Sequence, residues 1–543
     1  MACSVPLAIV GGQLYAGSDA GLGMSRVSTT ASPAQVDAVA PSIDGVTTDA
    51  ASATSDPWPW AYYYGPRYLP SNTVRSIIRD NREGAGDSVL IATDVGLTYL
   101  RAEEMTLDQK ATALQAFQLP RHDRHGLISP VNLDEYGLLS SYHKSTNDND
   151  GLWTGMSVMG LAYRYAESLK GDGKGDEEAR ALAWNGFEAL EHLSTITGAY
   201  PKFVARSLCK VSDGDLGCPT PDPDCVDDCW YHAPDKDGWY YKGDTSSDEL
   251  CGHFAAYALV HDYIAQTPEQ KQRVLKLMEG LLMGIIDNDL YLVQPATGKR
   301  TLWGFWNPHE LNYEPQHYSE RGTNSLEILA WLTQAYSITG NNKYKEQYYD
   351  LVKNHKYVQN TYNVKIDSAI DENHSDTELI MLAFHSLFYA DQRLEEGHPR
   401  KKEVQAMIQP MVVSLKKSFM LMKGELSPLW LGIYAGTAAQ SDMIQEKDLS
   451  DATWTLRRWA MDFITWGVMG SQRIDLDFTD HYHVRYQSDR PVMRHIRPAS
   501  ERRANEWNSD PFDVNPGGDG TCEYEPGTWL LPYFIMQFNG LIR

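Results

Sequence analysis

Asn147-Asp148-Asn149-Asp150-Gly151-Leu152-Trp153 sets a short polar run directly before a helix, Leu152 to Leu169, that is apolar on nearly every face through Trp153, Met156, Met159 and Tyr163. The arrangement recurs. Gly243-Asp244-Thr245-Ser246-Ser247-Asp248-Glu249 precedes Leu250 to Ile264, and Arg321-Gly322-Thr323-Asn324-Ser325-Leu326-Glu327 opens Leu326 to Ile338. Asn373-His374-Ser375-Asp376-Thr377-Glu378 precedes Leu379 to Tyr389. After each comes a more charged helix: Asp176 to Ile196, Pro268 to Ile286, Lys343 to His355 and Lys401 to Met422. A helix apolar all round belongs inside a layered structure, an amphipathic one outside. The alternation predicts a ring of helical hairpins whose inner helices start at one rim.

The fold class expected is therefore mainly α, an (α/α) toroid, spanning residues 104–543 with an irregular stretch after Gly470. Two more helices are predicted, Thr106 to Leu119, ended by Pro120, and Asp451 to Met469. Thr528 to Phe538 is apolar enough to close the ring as a further inner helix. Residues 1–103 read as a β-rich appendage and linker. Tyr15-Ala16-Gly17-Ser18-Asp19-Ala20-Gly21-Leu22 and Leu90-Ile91-Ala92-Thr93-Asp94-Val95-Gly96-Leu97 repeat one strand-then-tight-turn pattern. These units resemble strand-turn repeats of sensor-type β-propellers, but two copies cannot close a propeller. Ser28 to Ser55, rich in Ala, Ser, Thr and Val, reads as linker.

Composition narrows the partners. A formal net charge of −24 argues against nucleic acid, whose phosphates need a basic surface. No apolar run approaches the roughly 18 residues of a membrane span. Cys209, Cys218, Cys225 and Cys229 lie within one loop-like stretch rich in Pro, Asp and Gly, which predicts local disulfides in an oxidising compartment rather than a zinc site. Asp222, Asp224, Asp227 and Asp228 lack the ordered calcium-loop pattern and read as a solvated acidic loop. The opening Met1 to Val10 has a short apolar run without a basic leader. The cysteines nevertheless predict a secreted or extracytoplasmic protein, with no metal and no cofactor.

Ser246 with Glu249, Asn324 with Glu327, and Ser375 with Glu378 have the cap-x-x-Glu spacing that satisfies the free N–H groups of a helix start. Capping leaves a surplus. Asp148 and Asp150 alternate with Asn147 and Asn149, Asp244 and Asp248 flank a cap already filled, and Asn373, His374 and Asp376 repeat the excess. Carboxylates gathered in a desolvated place split their pKa values, which suits one general acid and one general base. Aromatic side chains accompany the runs: Trp153, then Trp239, Tyr240 and Tyr241, then Trp303 and Trp306.

In these residues the chain resembles the carbohydrate-active (α/α)-toroid enzymes, the six-hairpin glycosidases and toroid polysaccharide lyases. The resemblance covers roughly residues 105 to 470. It implies cleavage of a glycosidic bond in a cleft at the inner-helix rim, with a polysaccharide or oligosaccharide as substrate. For hydrolysis the candidates are Asp148 or Asp150 facing Asp244, Asp248 or Glu249, an inverting pair needing about 6.5–9.5 Å between carboxyls for a water. For elimination on a uronic acid, Arg206, Arg321, His253, His374 and Tyr241 are the candidate neutralisers and bases, with Asn147, Asn149 or Asn373 binding the acid group. His253, on an apolar helix, reads more readily as a core histidine than as a base.

One basic stretch favours an anionic substrate. His481 to Arg503 holds Arg485, Arg490, Arg494, Arg497, Arg502 and Arg503 against Asp489 and Glu501, although pairing with acids elsewhere explains it as well. Phosphate-loop, serine-elbow and zinc-protease motifs do not occur. The remaining alternative is a non-catalytic protein that holds a glycan or another protein.

Overall fold

The computed structural model describes residues 7–10, 13–18, 21–26 and 60–542, apart from 83–84, 86–87, 102–103, 172, 215–217, 219–224, 226–228, 365, 369–370, 373, 375, 438–443, 472, 474, 480–492 and 504–509. The linker Ser28 to Ser55, the acidic loop at Asp222 to Asp228, Asn373, Ser375, Arg485 and Arg490 thus lie outside the described residues.

The helices are α1 (Leu107–His122), α2 (Asp150–Ser168), α3 (Glu177–Thr195), α4 (Ser247–Leu259), α5 (Pro268–Asp287), α6 (Pro308–Tyr313), α7 (Glu320–Thr339), α8 (Asn342–His355), α9 (Tyr357–Asn360), α10 (Thr377–Gln392), α11 (Lys401–Ile408), α12 (Val412–Met422), α13 (Pro428–Gly436), α14 (Glu446–Arg458) and α15 (Gly527–Phe538). The chain is mainly helical. Helices α2, α4, α7, α10, α13 and α15 pack each against the next, α15 returns to α2, and α4 also touches α10. Their residues are buried almost throughout, and they supply most of one continuous core. Helices α3, α5, α8, α11 and α14 are buried on one face only and lie against them.

Helix α2 meets α4 at paired glycines. A Cβ on Gly155 would stand 2.3 Å from the Gly252 carbonyl oxygen, and one on Gly252 would stand 2.5 Å from Leu152 Cα. Only residues without a side chain allow that approach. It brings the starts of two helices distant in sequence side by side.

Short strands fill the connections. Strands β1 (Leu7–Val10), β2 (Gln13–Ser18), β3 (Gly21–Arg26) and β4 (Trp60–Tyr63) form one antiparallel sheet; β5 (Val74–Arg79), β6 (Ser88–Thr93) and β7 (Leu97–Arg101) form another. Each strand-turn repeat falls on a hairpin, β2 with β3 and β6 with β7. Leu69, Val74, Val89 and Ile91 give this β part its own small core. It joins the helical body where Arg67 bonds Asp462 at 3.3 Å, Tyr68 donates to the Ser500 carbonyl at 3.0 Å, and the Tyr62 N–H donates to Glu501 at 2.9 Å.

Elsewhere β8 (Asp123–Arg124) pairs β9 (Leu127–Ile128), and β10 (Val131–Leu133) runs between β11 (Tyr142–Lys144) and β19 (Cys522–Glu523). Strand β12 (Ser207–Lys210) pairs β14 (Trp239–Lys242), which also pairs β13 (Trp230–His232). Two hairpins complete the set, β15 (Tyr291–Val293) with β16 (Arg300–Phe305) and β17 (Ile366–Ser368) with β18 (Asp371–Glu372).

Several boundaries differ from the sequence reading. Helix α1 continues through Pro120, which sits so near the end that one lost backbone bond is tolerated. Lys401 to Met422 is two helices, broken by a 3-10 turn at Gln409–Met411 that contains Pro410. Helix α14 stops at Arg458 instead of Met469. Beyond it, Asp462 takes the Arg67 guanidinium and the Trp466 indole N–H, and Phe463 and Ile464 are buried from irregular chain. Helix α13, short and apolar, was not foreseen.

Cys209–Cys218 and Cys225–Cys229 are disulfides, so the four sulfurs foreseen as local staples are consumed. Cys251 and Cys522 are free thiols. Among the described residues no helix is long and apolar enough to cross a membrane.

Candidate functional site

Every helix of the inner cycle carries a buried carboxyl in its first half or just before it: Asp150 on α2, Glu249 on α4, Glu327 two turns into α7, Glu378 on α10, Glu425 just before α13 and Glu525 just before α15.

Asp150 is sealed. Its Oδ2 accepts Arg124 Nη2 at 2.5 Å and the Ser207 hydroxyl, tying α2 to β8 and β12. Burial, offset in part by Arg124, pushes its carboxyl up to about 6. Glu249 serves the start of its own helix. Its Oε2 accepts the Ser246 N–H at 2.9 Å and the Ser246 hydroxyl at 2.8 Å, the capping box foreseen. Arg206 Nε lies 3.4 Å from its Oε1.

Glu327 corrects the sequence reading. Helix α7 begins at Glu320, so Asn324 and Glu327 are helix interior and not a cap. Asn324 Nδ2 donates instead to the Phe305 carbonyl at 2.9 Å. Glu327 accepts the Trp306 indole N–H at 2.8 Å and the Cys251 thiol at 3.2 Å, and burial pushes it up to about 8. At α10 the N-cap position is Asp376, whose side chain makes no cap bond.

Asp248 differs from its neighbours in being half-buried rather than enclosed. Desolvation first, then the Glu249 and Asp376 carboxylates, push it up to about 7, with Arg206 and Ser246 pulling the other way. The starts of α4 and α10 therefore come together electrostatically. Asp148 stands at the exposed edge of the same group, its side chain 61 % accessible and paired with Lys242. Its backbone carbonyl accepts Arg206 Nε at 3.0 Å, and Arg206 Nη2 donates to Asn149 Oδ1 at 2.9 Å. Asp148, Arg206, Glu249, Asp248 and Asp376 thus form one continuous chain of contacts and fields.

Asp244 stands beside it with a different task. It adopts the left-handed φ of 56° and its Oδ1 accepts the Leu302 N–H at 2.7 Å. This holds the β15–β16 hairpin, with Trp303 47 % exposed, against the start of α4.

Other expected site residues are placed elsewhere or used otherwise. His253 is fully buried and hydrogen-bonded to the Tyr257 hydroxyl at 2.6 Å, with burial pushing it down to about 3, which makes it a core histidine. Tyr241 is buried within β14 against Tyr231, and burial pushes its hydroxyl up to about 12. Trp306 is enclosed on Glu327, and Trp153 is buried with its indole N–H on Asn147 Oδ1 at 3.0 Å. Trp239 is half-buried among His125, His192 and the Lys210 and Lys236 ammonium groups. Arg321 donates to the Leu311 and Asn312 carbonyls, holding the turn before α7. His374 is buried, with Nδ1 3.3 Å from Glu425 and Nε2 3.7 Å from Asp510, at the approach to α13. The neutralisers and bases that elimination would need are thus largely spent on the fold.

In the basic C-terminal stretch Arg494 pairs with Asp477 at 2.8 Å and Arg497 donates to the Asp513 carbonyl at 2.8 Å. Glu525, which sequence reasoning missed, is buried before α15 and pushed up to about 7. Its signal was available: an acid immediately before the apolar run to Phe538.

No family model matches the chain, and no curated protein matches it. Among solved structures it is similar to a single mutant of a thermostable endoglucanase from Alicyclobacillus acidocaldarius, at 11 % identity and a TM-score of 0.36, over 84 % of this chain and 88 % of that one. That likeness is too loose to transfer a substrate or a residue.

Proposed function

We propose that the chain is a glycoside hydrolase, its six inner helices an (α/α) toroid with the substrate cleft at their starts. Asp248 is the general acid and Asp148 the general base. The observation that carries this reading is the electrostatic state of Asp248: a half-buried carboxyl, raised to about 7 by its surroundings and by Glu249 and Asp376, and joined through Arg206 to the segment that carries the solvent-facing carboxylate Asp148. An acid that keeps its proton near neutrality and a second one paired with an ammonium group are the division of labour that glycosidic hydrolysis needs.

Asp248 protonates the leaving glycosidic oxygen while Asp148 draws a proton from the attacking water. Lys242 positions the Asp148 carboxylate, and Arg206 holds the segment that carries it. Trp303 offers an exposed face on which a sugar ring stacks. The disulfides suit action outside the cytoplasm.

The test is incubation of the protein, its Asp248→Asn variant and its Asp148→Asn variant with a panel of neutral and acidic polysaccharides. Reducing ends and the ultraviolet absorbance of unsaturated uronates are followed together. Hydrolysis by the wild type alone, without new absorbance, supports the proposal. Equal release by all three proteins, or absorbance growing with the reducing ends, sinks it.

A further inference from the structure

The three-stranded sheet β11–β10–β19 presents two chemically different faces. On one, Val131 and Glu523 are cross-strand partners, and buried Glu523 takes Arg121 Nε at 2.9 Å and Nη2 at 2.8 Å. On the other, Asn132 is opposite Cys522, and Tyr524 follows on the same side by strand alternation. This second face borders a cavity of about 270 Å³, completed by Ser145, Thr146 and Asn147 where the chain enters α2.

The cavity is furnished with donors. Asn147 Oδ1 already accepts the Asn149 N–H and the Trp153 indole N–H, each at 3.0 Å, so its Nδ2 hydrogens remain for a ligand. Tyr524 accepts from Arg503 Nη2 at 3.3 Å, which leaves the tyrosine proton to donate. Arg503 Nε is buried and has no hydrogen-bond partner among the described residues. Among the described residues, two acids near Cys522 are spent: Glu523 on Arg121, and Asp519 on the Thr521 N–H at 3.0 Å and hydroxyl at 2.6 Å. In a chain of net charge −24, a cavity lined by these donors and by no carboxylate, with the Arg503 guanidinium held on the Tyr524 hydroxyl of that lining, is a local exception.

We infer that this cavity receives the anionic substituent of a saccharide, a carboxylate or a sulfate ester, with Asn147 and Tyr524 as its donors and the Arg503 guanidinium, held on Tyr524, as its neighbouring positive charge. The inference deepens the glycosidase reading, on which it rests for the saccharide, by making the substrate an acidic sugar polymer. An amide and a phenol that donate to an oxyanion, with a guanidinium behind the phenol, discriminate an acid from its neutral analogue because their bonds to it are charge-assisted.

Cys522 in the lining is the reporter. The full chain is alkylated with iodoacetamide in the presence of glucuronate, glucose 6-sulfate or glucose, and Cys522 is followed by peptide mass spectrometry. The expected result is severalfold slower alkylation with glucuronate, with glucose 6-sulfate, or with both, and none with glucose. Which of the two acids protects identifies the substituent. Arg503→Gln loses the protection, whereas Asp248→Asn keeps it. No protection by either acid in the wild type, or equal protection by glucose, overturns the inference whatever the variants do. Protection in a protein that hydrolyses no polysaccharide would leave this inference standing and defeat the catalytic reading.

Discussion

Arg206 Nε lies 3.4 Å from Glu249 Oε1 while Nη2 of the same guanidinium donates to Asn149 Oδ1 at 2.9 Å, so one side chain ties the start of α2 to the start of α4. Replacing it by glutamine strands the buried Glu249 carboxylate, a change that costs about 3–5 kcal/mol when a buried pair is broken. Protonation of Glu249 offsets part of that loss. Arg206 also lowers Asp248, so its removal raises Asp248 further. Urea unfolding of Arg206→Gln should show the reduced stability, and the alkaline limb of its residual activity should move to higher pH.

The general-acid role of Asp248 predicts a rate that falls as pH rises through about 7, where its proton is lost. Asp248→Asn should lower kcat by about 10²–10⁴ and abolish that limb. Asp376→Asn tests the origin of the shift. Removing a neighbouring negative charge stabilises the Asp248 carboxylate, lowers its pKa and draws the alkaline limb to lower pH. The pH profiles of the three proteins on one substrate check this. A limb that stays put in Asp376→Asn would remove the electrostatic link between α4 and α10.

The inner helices were legible because burial on all faces leaves an unmistakable apolar record, as in Leu250 to Leu259 and Leu379 to Ala390. The cap at Ser246 was legible because its spacing is local. What could not be read was the division of the acids. Asp148 and Asp150 look alike in sequence, yet one meets solvent and the other is closed between Arg124 and Ser207, residues brought by β8 and β12. Glu327 mimicked a cap because α7 starts well upstream of its apolar run. Helix α14 was overextended because Phe463, Ile464 and Trp466 are buried by irregular chain, which leaves the same apolar trace as a helix.

Trp303 is held out by a hairpin that Asp244 pins through the Leu302 N–H. Trp303→Ala removes an exposed ring and little packing, so thermal unfolding should be unchanged. Loss of a stacking face worth about 1 kcal/mol should raise KM severalfold with kcat nearly constant. Asp244→Ala should raise KM in the same way, with a small loss of stability from the freed left-handed residue. Steady-state kinetics with oligosaccharides separates these effects from a catalytic one.

Glu327 gives a stability prediction independent of the substrate. Its carboxyl is fully buried, and desolvation, with a smaller push from Asp248 and Glu320 against the Trp306 and Cys251 bonds, carries its pKa from 4.5 to about 8. The folded chain therefore holds this proton over a range where the unfolded chain has released it. The stability so contributed is complete below about 4.5 and is lost as pH rises through about 8. Glutamine keeps an acceptor for the Trp306 N–H and cannot ionise. Glu327→Gln should match the wild type near pH 4 and exceed it near pH 9 by roughly 1–3 kcal/mol in chemical denaturation. Asp150, Asp248 and Glu525 are raised as well, so the variant should retain a shallower decline of the same sign rather than a flat profile. Parallel curves for the two proteins across this range would mean that Glu327 is ionised in the folded chain, and would withdraw the burial argument for the carboxyls around it.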